Sequence, residues 1–219
     1  MGWTGSQRKI YHFITEVTVA SNPQINKTVK LISSNSKIVD LGAGGRRITE
    51  KTITVDFIYT DNTDVISDVH WLPFKDNSVD AVFCTGVLEH ITSPDTALNE
   101  IKRVLKKGGI IHLEVPFMQG YHADPKDYWR WTLDGLILFA NCYSFKELRS
   151  GVHIGPSSTV LWILDEYITI FFGRKYMGKW LSWLFRLFFF PLKYLDYFLV
   201  NRKDAFVIAS GIYFVGEKT

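Results

Sequence analysis

The hydrophobic residues of the chain fall into short runs rich in β-branched side chains, separated by polar or helical stretches. Such runs predict buried strands, and amphipathic stretches that begin at a capping residue or a proline predict helices. The predicted strands are 36–41, 52–56, 65–68, 79–84, 109–115 and 205–215, and the predicted helices are 10–20, 23–33 and 94–105. Strands and helices that alternate in this way predict an α/β fold with a doubly wound parallel sheet and right-handed crossovers.

The first predicted strand ends in a glycine-rich turn, in the sequence KIVDLGAGGR (37–46). The apolar run carries Asp40 near its end and then breaks into three glycines within four residues, among them Gly42 and Gly44. Glycine allows a positive φ, and its missing Cβ lets a ligand approach the backbone. Asp56 ends the second strand, where ribose-binding acids lie in nucleotide-binding folds, although an acid there can also cap a loop. The pattern predicts a nucleotide-like ligand outside the carboxyl ends of these strands.

Composition narrows the class of protein only slightly. The 219 residues suffice for one α/β domain with an appendage, and a net charge of +3 does not by itself favour a nucleic-acid partner. Cys84 and Cys142 lack the spacing of metal ligands, so they are predicted to be buried, reduced thiols of a cytoplasmic protein, and no metal site is predicted. The polar start 1–9 leads into no long apolar run, so a signal peptide is not expected.

Three further motifs follow the glycine turn in order. They are DVHWLPFKDNSVD (68–80), AVFCTGVLEHI (81–91) and ALNEIKRVLKKGG (97–109). Together with the glycine turn, they make the stretch 37–115 resemble the class I S-adenosylmethionine-dependent methyltransferases, and most closely their type 11 branch. The resemblance implies a Rossmann-like, seven-stranded, mostly parallel sheet with helices on both faces, and S-adenosyl-L-methionine as the cofactor.

The resemblance assigns the methionine part and the ribose of the cofactor to the first two strand ends. Asp40, Gly42 and Gly44 match the family's glycine loop, which cradles the methionine part, and Asp56 matches the acid that holds the ribose. The loop departs from the family at one point, since Gly-x-Gly-x-Gly is replaced by Gly-Ala-Gly-Gly-Arg. Arg46 stands in place of the third glycine, and it either reaches toward the cofactor carboxylate or is a solvated arginine.

The same resemblance assigns four more residues to the adenine and to the reactive sulfonium. Asp68 would accept a hydrogen bond from the adenine amino group, with Val69 beside the ring. Thr85 and Leu88, after the fourth strand, would line the cofactor near the sulfonium. The fourth strand is followed by 84–87, Cys-Thr-Gly-Val, rather than by Asn-Pro-Pro-Tyr or Asp-Pro-Pro-Tyr, which argues against methylation of adenine amino groups in nucleic acid. No nucleic-acid partner is therefore expected.

The segment 116–132 is too long and too rich in His, Asp, Tyr, Trp and Arg for a plain connector. Within it, His122, Asp127 and Tyr128 are the predicted catalytic residues, which would bind or deprotonate a polar acceptor such as a sugar hydroxyl. Tyr128 and the neighbouring tryptophans could instead pack the loop onto the core. A general base is optional, because methyl transfer from a sulfonium is an in-line displacement that can rest on alignment. The histidines interpreted as structural are His90 and His112.

The segment 156–204 is rich in Trp, Phe and Tyr, and it is predicted to be a helical insertion before the last strand. Charged residues and a proline interrupt its apolar runs, whereas a transmembrane helix needs about 20 nearly uncharged residues. Basic residues interleave with aromatic ones over 160–200, as in helices that lie in a membrane interface. A lid over the active site and a dimer interface are equal alternatives, and the oligomeric state stays open.

These observations predict a single methyltransferase domain over 1–219. Its predicted parts are N-terminal helices in 1–35, the cofactor-binding core in 36–155, the insertion in 156–204 and the last strand in 205–219. The predicted location is the cytoplasm, with peripheral contact of the insertion to the inner face of the cytoplasmic membrane.

The predicted activity is methyl transfer from S-adenosyl-L-methionine to a small-molecule, saccharide or lipid-linked glycan acceptor, at a hydroxyl, as in polysaccharide biosynthesis. The main alternative is a catalytically silent binding or scaffold protein that keeps the fold, which the altered loop at Arg46 permits. A nicotinamide-dependent oxidoreductase is disfavoured, because the Gly-x-Gly-x-x-Gly spacing of that class is missing.

Overall fold

The computed structural model describes residues 23–219. The predicted helix 10–20 and part of the predicted single domain over 1–219 lie outside these residues, so both stay predictions. Strands β1–β7 are Ile38–Leu41, Ile53–Asp56, Val65–Ile66, Val79–Thr85, Leu105–Pro116, Phe145–Ile154 and Gly211–Lys218. Helices α1–α6 are Pro23–Val29, Pro94–Val104, Leu133–Cys142, Pro156–Phe171, Tyr176–Phe189 and Asp196–Leu199, and 3-10 helices are Leu88–His90, Phe190–Leu195 and Ala205–Ile208.

The larger of two compact units comprises 23–117, 121–153 and 212–219 and carries the sheet. The strand order is β3-β2-β1-β4-β5-β7-β6, and the pairs β1–β2, β1–β4, β2–β3 and β4–β5 are parallel. The predicted seven-stranded, Rossmann-like sheet is therefore confirmed. Strands β1 and β4 are neighbours in the sheet. The glycine turn follows the carboxyl end of β1, and Thr85 lies at the carboxyl end of β4. Ligands of open α/β sheets bind at this edge.

Local sequence explains the central elements. Strand β1 is buried along its whole length, as expected for a central strand of a parallel sheet, and its side chains are apolar except for Asp40. In α2, Ala97, Leu98 and Ile101 form one buried face, and Pro94 occupies the first helical turn. Ser93 stands at the predicted cap position, but its side chain makes no capping hydrogen bond.

The prediction was wrong at the C-terminal end of the sheet. Strand β6 and helix α3 were not predicted, since β6 is interrupted by charged residues and contains Gly151, a pattern with no period of two. The last strand begins at Gly211 rather than at 205, because Ala205–Ile208 form a 3-10 helix. For β6 and for the last strand, pairing with strands that are distant in the sequence decides where the strand lies.

The smaller unit comprises 118–120 and 154–211 within the described residues. It contains α4 and α5, joined through Gly173 in the left-handed region (φ +82°), then α6 and two 3-10 helices. The helical character predicted for 156–204 is confirmed. Across the described residues, no helix combines the length and the apolarity that crossing a bilayer requires.

Candidate cofactor and acceptor site

The glycine turn after β1 has the backbone geometry that the sequence predicted. Gly42, Gly44 and Gly45 have φ values of +63°, +56° and +84°. The Gly42 N–H donates to the Val55 carbonyl at 2.8 Å, which folds the turn over the end of β2. A Cβ at Gly42 would lie 2.2 Å from the Val87 side chain, whereas a Cβ at Gly44 would meet nothing within 4 Å. The backbone at Gly44 is therefore open to a ligand.

Asp56 lies beside this turn, as predicted. One carboxylate oxygen accepts the Gly44 N–H at 2.7 Å, and the other accepts the Ile58 N–H at 3.0 Å. Each oxygen offers about two acceptor sites, so the carboxylate can accept further hydrogen bonds from a ligand. The structure thus brings a glycine turn and an oriented acid together at the carboxyl ends of β1 and β2.

Arg46 has a role that the sequence did not indicate. Its guanidinium donates three hydrogen bonds of 2.8–3.2 Å to the carboxylate of Asp40, which is fully buried, while 40% of the Arg46 side chain is exposed. Burial raises the pKa of Asp40, although the Arg46 guanidinium acts in the opposite direction. Asp40 exposes no surface to a ligand, so it acts on the turn through Arg46.

Asp68 and Val69 lie near the end of the short strand β3. The Ser67 N–H donates to the Asp56 carbonyl at 3.0 Å, which brings the two predicted cofactor acids to one edge. Asp68 Oδ1 accepts from the His70 backbone N–H at 2.9 Å and lies 2.5 Å from His70 Nδ1. Val69 is buried beside it.

The end of β4 places Thr85 and Leu88 differently. The Thr85 hydroxyl is buried without a hydrogen-bond partner among residues 23–219, so it can accept or donate a bond to a ligand. Leu88 is completely buried and exposes nothing to a cofactor in this conformation. Val87, which contacts the turn at Gly42, lies closer to the predicted pocket.

Two of the three predicted catalytic residues form one cluster. The Asp127 side chain is only 1% exposed, and it accepts the His122 backbone N–H at 2.9 Å and two hydrogen bonds from the Arg130 guanidinium. These bonds from Arg130 lower the pKa of Asp127 to about 2. Asp127 therefore remains a carboxylate that fixes the segment, and His122 Nδ1 lies 3.7 Å from it.

Tyr128 contributes its backbone rather than its ring to this cluster. Its N–H donates to the Glu89 carbonyl at 2.7 Å, and its side chain is half exposed. The neighbouring Trp129 donates to the Ile91 carbonyl at 2.9 Å, and its ring lies near that of Trp131. The tryptophans therefore pack this segment, which was the alternative to a catalytic role.

A second acid of this cluster lies where the fourth strand and the segment 116–132 meet. Glu89 is 2% exposed, and its Oε1 lies 3.8 Å from His90 Nε2 and 3.9 Å from His122 Nε2. His90, interpreted as structural from the sequence, thus lies in the same cluster as His122. The adjacent residues Glu89 and His90, close after a predicted strand end, could have indicated this cluster from the sequence. Only the fold shows that His122 joins them.

Residues 39–113 match the family model of a methyltransferase domain. The chain is 37% identical over 104 residues to the tRNA U34 carboxymethyltransferase of Nautilia profundicola, covering 43% of this chain and 35% of that protein. It is 31% identical over 151 residues to the ubiquinone/menaquinone biosynthesis C-methyltransferase UbiE of Hydrogenovibrio crunogenus, covering 67% and 58%. The chain belongs to the class I S-adenosylmethionine-dependent methyltransferases. It spans about a third to three fifths of the length of these relatives.

Solved structures show the same methyltransferase fold. Phosphoethanolamine N-methyltransferase 2 of Haemonchus contortus, in complex with S-adenosyl-L-methionine, superposes with a TM-score of 0.58 at 15% identity, over 98% of this chain and 57% of that one. The 1,6-didemethyltoxoflavin-N1-methyltransferase of Burkholderia thailandensis gives 0.57 at 14% identity, over 98% and 83%.

The remaining predictions for this chain concern its core. His112, interpreted as a satisfied core residue, is fully buried and makes hydrogen bonds of 2.8 Å to Thr28 Oγ1 and Glu114 Oε1, as expected. Cys84 is buried, and burial raises the pKa of its thiol. Cys142 is exposed, so the prediction of two buried thiols was wrong for it, because α3 ends there at the surface.

Proposed function

We propose that this chain transfers a methyl group from S-adenosyl-L-methionine to a hydroxyl of a small-molecule, saccharide or lipid-linked glycan acceptor. The observation that carries the proposal is the glycine turn with Asp56 hydrogen-bonded to it, inside a methyltransferase domain. When bound, the cofactor supplies an electrophilic methyl group. The acceptor oxygen would form the new C–O bond, the C–S electron pair would stay on sulfur, and the hydroxyl proton would leave to a base or to water.

The cofactor side rests on residues that fit its parts. The open backbone at Gly44 can approach the methionine part, and the oriented carboxylate of Asp56 can accept from both ribose hydroxyls. Asp68 would accept from the adenine amino group, with Val69 beside the ring. Thr85, with its unpartnered hydroxyl, lies at the strand end that the sulfonium would face.

The acceptor side rests on His122. Its backbone N–H is held by Asp127, and Arg130, which fixes Asp127, also lies 3.3 Å from its ring nitrogen Nδ1, so the imidazole is preorganised at the rim of the cluster. His122 would hold or receive the acceptor proton, and Asp127 is a positioning residue. Tyr128 would contact the acceptor with its half-exposed ring.

We expect His122→Gln to lower methyl transfer about 100-fold or more, as when a positioned acid–base group is lost, without weakening cofactor binding. The measurement is incorporation of labelled methyl from S-adenosyl-L-methionine into separated lipid and polar extracts. The control is Lys107→Gln, an exposed position outside the site, and cofactor affinity is measured for both variants. Cofactor binding by the wild type with no labelled product in any extract would favour the scaffold alternative.

The smaller unit supports a lipid-linked acceptor, because it buries polar side chains and exposes apolar ones, the reverse of the usual arrangement in water. The side chains buried in its helices include Asp165, Ser182 and Asp196, while large apolar residues face outward. On α4 and α5 the exposed apolar residues are Val160, Ile163, Leu164, Tyr167, Ile170, Phe171, Tyr176, Met177, Trp180, Trp183, Leu187, Phe188 and Phe189. An exposed apolar surface of this extent marks a membrane or partner contact.

The buried polar groups of this unit satisfy one another. Asp165 accepts from Ser182 Oγ at 2.6 Å and from the Arg186 guanidinium at 2.5 and 3.0 Å. Asp196 accepts from the Ser158 N–H at 3.0 Å and from its hydroxyl at 2.7 Å, at the start of α4. Hydrogen bonds between helices of this kind hold helix bundles together where the surroundings are apolar.

The two long helices also approach each other through small residues. A Cβ on Gly178 of α5 would lie 2.0 Å from the Gly173 carbonyl oxygen and 3.0 Å from that of Thr169 on α4. Ser182 follows one turn later, which gives the small-x-x-x-small spacing of helix pairs packed in membranes. Exposed basic residues at the turn, Arg174 and Lys175, suit anionic headgroups. The unit therefore fits peripheral contact with the cytoplasmic membrane from its inner face.

We expect the purified chain to co-sediment with vesicles that contain phosphatidylglycerol and to stay in solution with the double variant Trp180→Ser/Phe188→Ser. The removed side chains are 59% and 73% exposed, so folding should persist and the loss should reflect the missing contact. Trp71→Ser is the matched control, since Trp71 is equally exposed but lies in the larger unit. Vesicle-independent dimers that the double variant abolishes would instead identify a dimer interface.

A further inference from the structure

We propose that Glu89, His90 and His122 bind a divalent transition-metal cation. One ligand atom from each residue lies within 4.8 Å of the other two. Binding of the cation does not depend on methyl transfer. With the cation bound, His122 would be its ligand rather than a base, and the cation would hold the acceptor oxygen and favour its ionised form; this use rests on the proposed function.

Glu89 is the first reason. It is 2% exposed, and its Oε2 has no hydrogen-bond partner among the described residues. A buried carboxylate is normally paired or bound to a metal, since its desolvation is otherwise uncompensated. The ion pairs it makes within residues 23–219 are to the two histidines, at 3.8 and 3.9 Å. The nearby Asp127 is already neutralised by Arg130.

The tautomer of His90 is the second reason. Its Nδ1 lies 2.6 Å from the Lys126 carbonyl oxygen, and a carbonyl can only accept, so Nδ1 carries the hydrogen. In the neutral ring, Nε2 then points a lone pair at Glu89 Oε1 across 3.8 Å. Two acceptors that face each other are stabilised by a positive charge between them, which is either a metal cation or an added proton. Donation of the second ring nitrogen to a backbone carbonyl is also how metal-binding histidines are held.

His122 completes the set from another element. Its ring lies 5.3 Å from that of His90 at an interplanar angle of 88°, and its Nε2 points to Glu89 at 3.9 Å. Its Nδ1 lies 3.3 Å from Arg130 Nη2, which can only donate, so without a cation Nδ1 accepts and Nε2 carries the hydrogen toward Glu89. Binding of the cation at Nε2 moves that hydrogen to Nδ1, which faces the carboxylate of Asp127 at 3.7 Å. Metal–ligand bonds of about 2.0–2.2 Å place neighbouring ligand atoms about 3–3.6 Å apart, so small side-chain rotations close the site.

The composition of the set indicates the class of cation. Two imidazoles and one carboxylate suit zinc, manganese or iron rather than magnesium or calcium, which prefer oxygen ligands. Three protein ligands leave at least one position open, as in catalytic rather than structural sites. The site adjoins the glycine turn, because Val87 at the start of the same short helix contacts Gly42.

The test is calorimetric titration of the tag-free, chelator-treated chain with Zn²⁺, together with the visible spectrum of the Co²⁺ form. We expect one Zn²⁺ per chain, an affinity at least about 100-fold weaker in Glu89→Gln, and loss of the Co²⁺ bands. Glu147→Gln is the matched control, since Glu147 is exposed and lies outside the cluster. His90→Asn replaces Glu89→Gln if the latter fails to fold.

The outcomes separate this proposal from the proposed function. Absence of saturable Zn²⁺ binding, or equal binding by the wild type and Glu89→Gln, overturns the metal site even when S-adenosylhomocysteine binds. That result would identify the cluster as an ion pair between Glu89 and a protonated histidine. Zn²⁺ binding without any cofactor binding would instead overturn the methyltransferase activity and leave the metal site standing.

Discussion

Asp56→Ala is expected to weaken binding of S-adenosylhomocysteine at least about 100-fold. Each hydrogen bond from a ribose hydroxyl to the carboxylate is charge-assisted and contributes about 1.5–3 kcal/mol. Loss of two such bonds corresponds to about 3–6 kcal/mol, or more than a 100-fold change in the dissociation constant. The measurement is calorimetric titration of the purified chain and the variant.

The control for this experiment must separate ligand contacts from damage to the turn. Asp56 also accepts the N–H groups of Gly44 and Ile58, so its removal leaves two donors unpaired. Asp56→Asn keeps one acceptor oxygen and is expected to lose affinity less, while Asp61→Ala removes an exposed acid nearby and should bind as the wild type does. Affinity of Asp56→Ala within threefold of the wild type, in a folded protein, would contradict the ribose assignment.

Arg46→Ala is expected to lower the free energy of unfolding by about 3 kcal/mol, because it leaves the buried carboxylate of Asp40 without its cation. The double variant Asp40→Asn/Arg46→Met, which removes both charges, should recover most of this loss. The matched control is Lys106→Ala, which breaks an exposed ion pair with Asp80 and should cost at most about 1 kcal/mol. Urea unfolding followed by circular dichroism measures all three.

The decrease in the free energy of unfolding caused by Arg46→Ala should grow as the pH rises. Burial raises the pKa of Asp40 above its unfolded value of 3.8, so the folded state binds this proton more tightly than the unfolded state. Stability from this group is therefore present at low pH and is lost as the pH rises through the folded pKa. Without Arg46 the pKa rises further, so the destabilisation should be larger at pH 7 than at pH 4. An equal loss at both pH values would show that the effect is not electrostatic.

Most of the residues proposed to bind the cofactor were predictable, because short local stretches of sequence determine their positions. A glycine turn needs residues that tolerate positive φ, and Gly42, Gly44 and Gly45 adopt it. Parallel strands end at one edge, so Asp56 and Asp68 had to lie near that turn once β1, β2 and β3 were recognised. The helical insertion was equally visible, as a change in composition.

The acceptor side and the C-terminal end of the sheet were not predictable in this way. The unpredicted β6 has too little periodicity to be recognised and is a strand because it pairs with β7. Glu89 and His122 are far apart in the sequence, and only the fold brings their side chains within 4 Å. In the insertion, composition gave the number of apolar residues but not which of them face outward.

The sequence by itself determined the order of the first five strands with helices α1 and α2, the glycine turn and the acids at the strand ends, because neighbouring residues decide turn geometry and hydrophobic period. The tertiary structure alone decided that Arg46 neutralises Asp40, that Glu89 meets two histidines, and that the insertion buries its polar side chains. Those three features depend on side chains from separate segments meeting in space, and on which surfaces are withdrawn from water. Neither the meeting of distant side chains nor the burial of a surface can be read from a local stretch of chain.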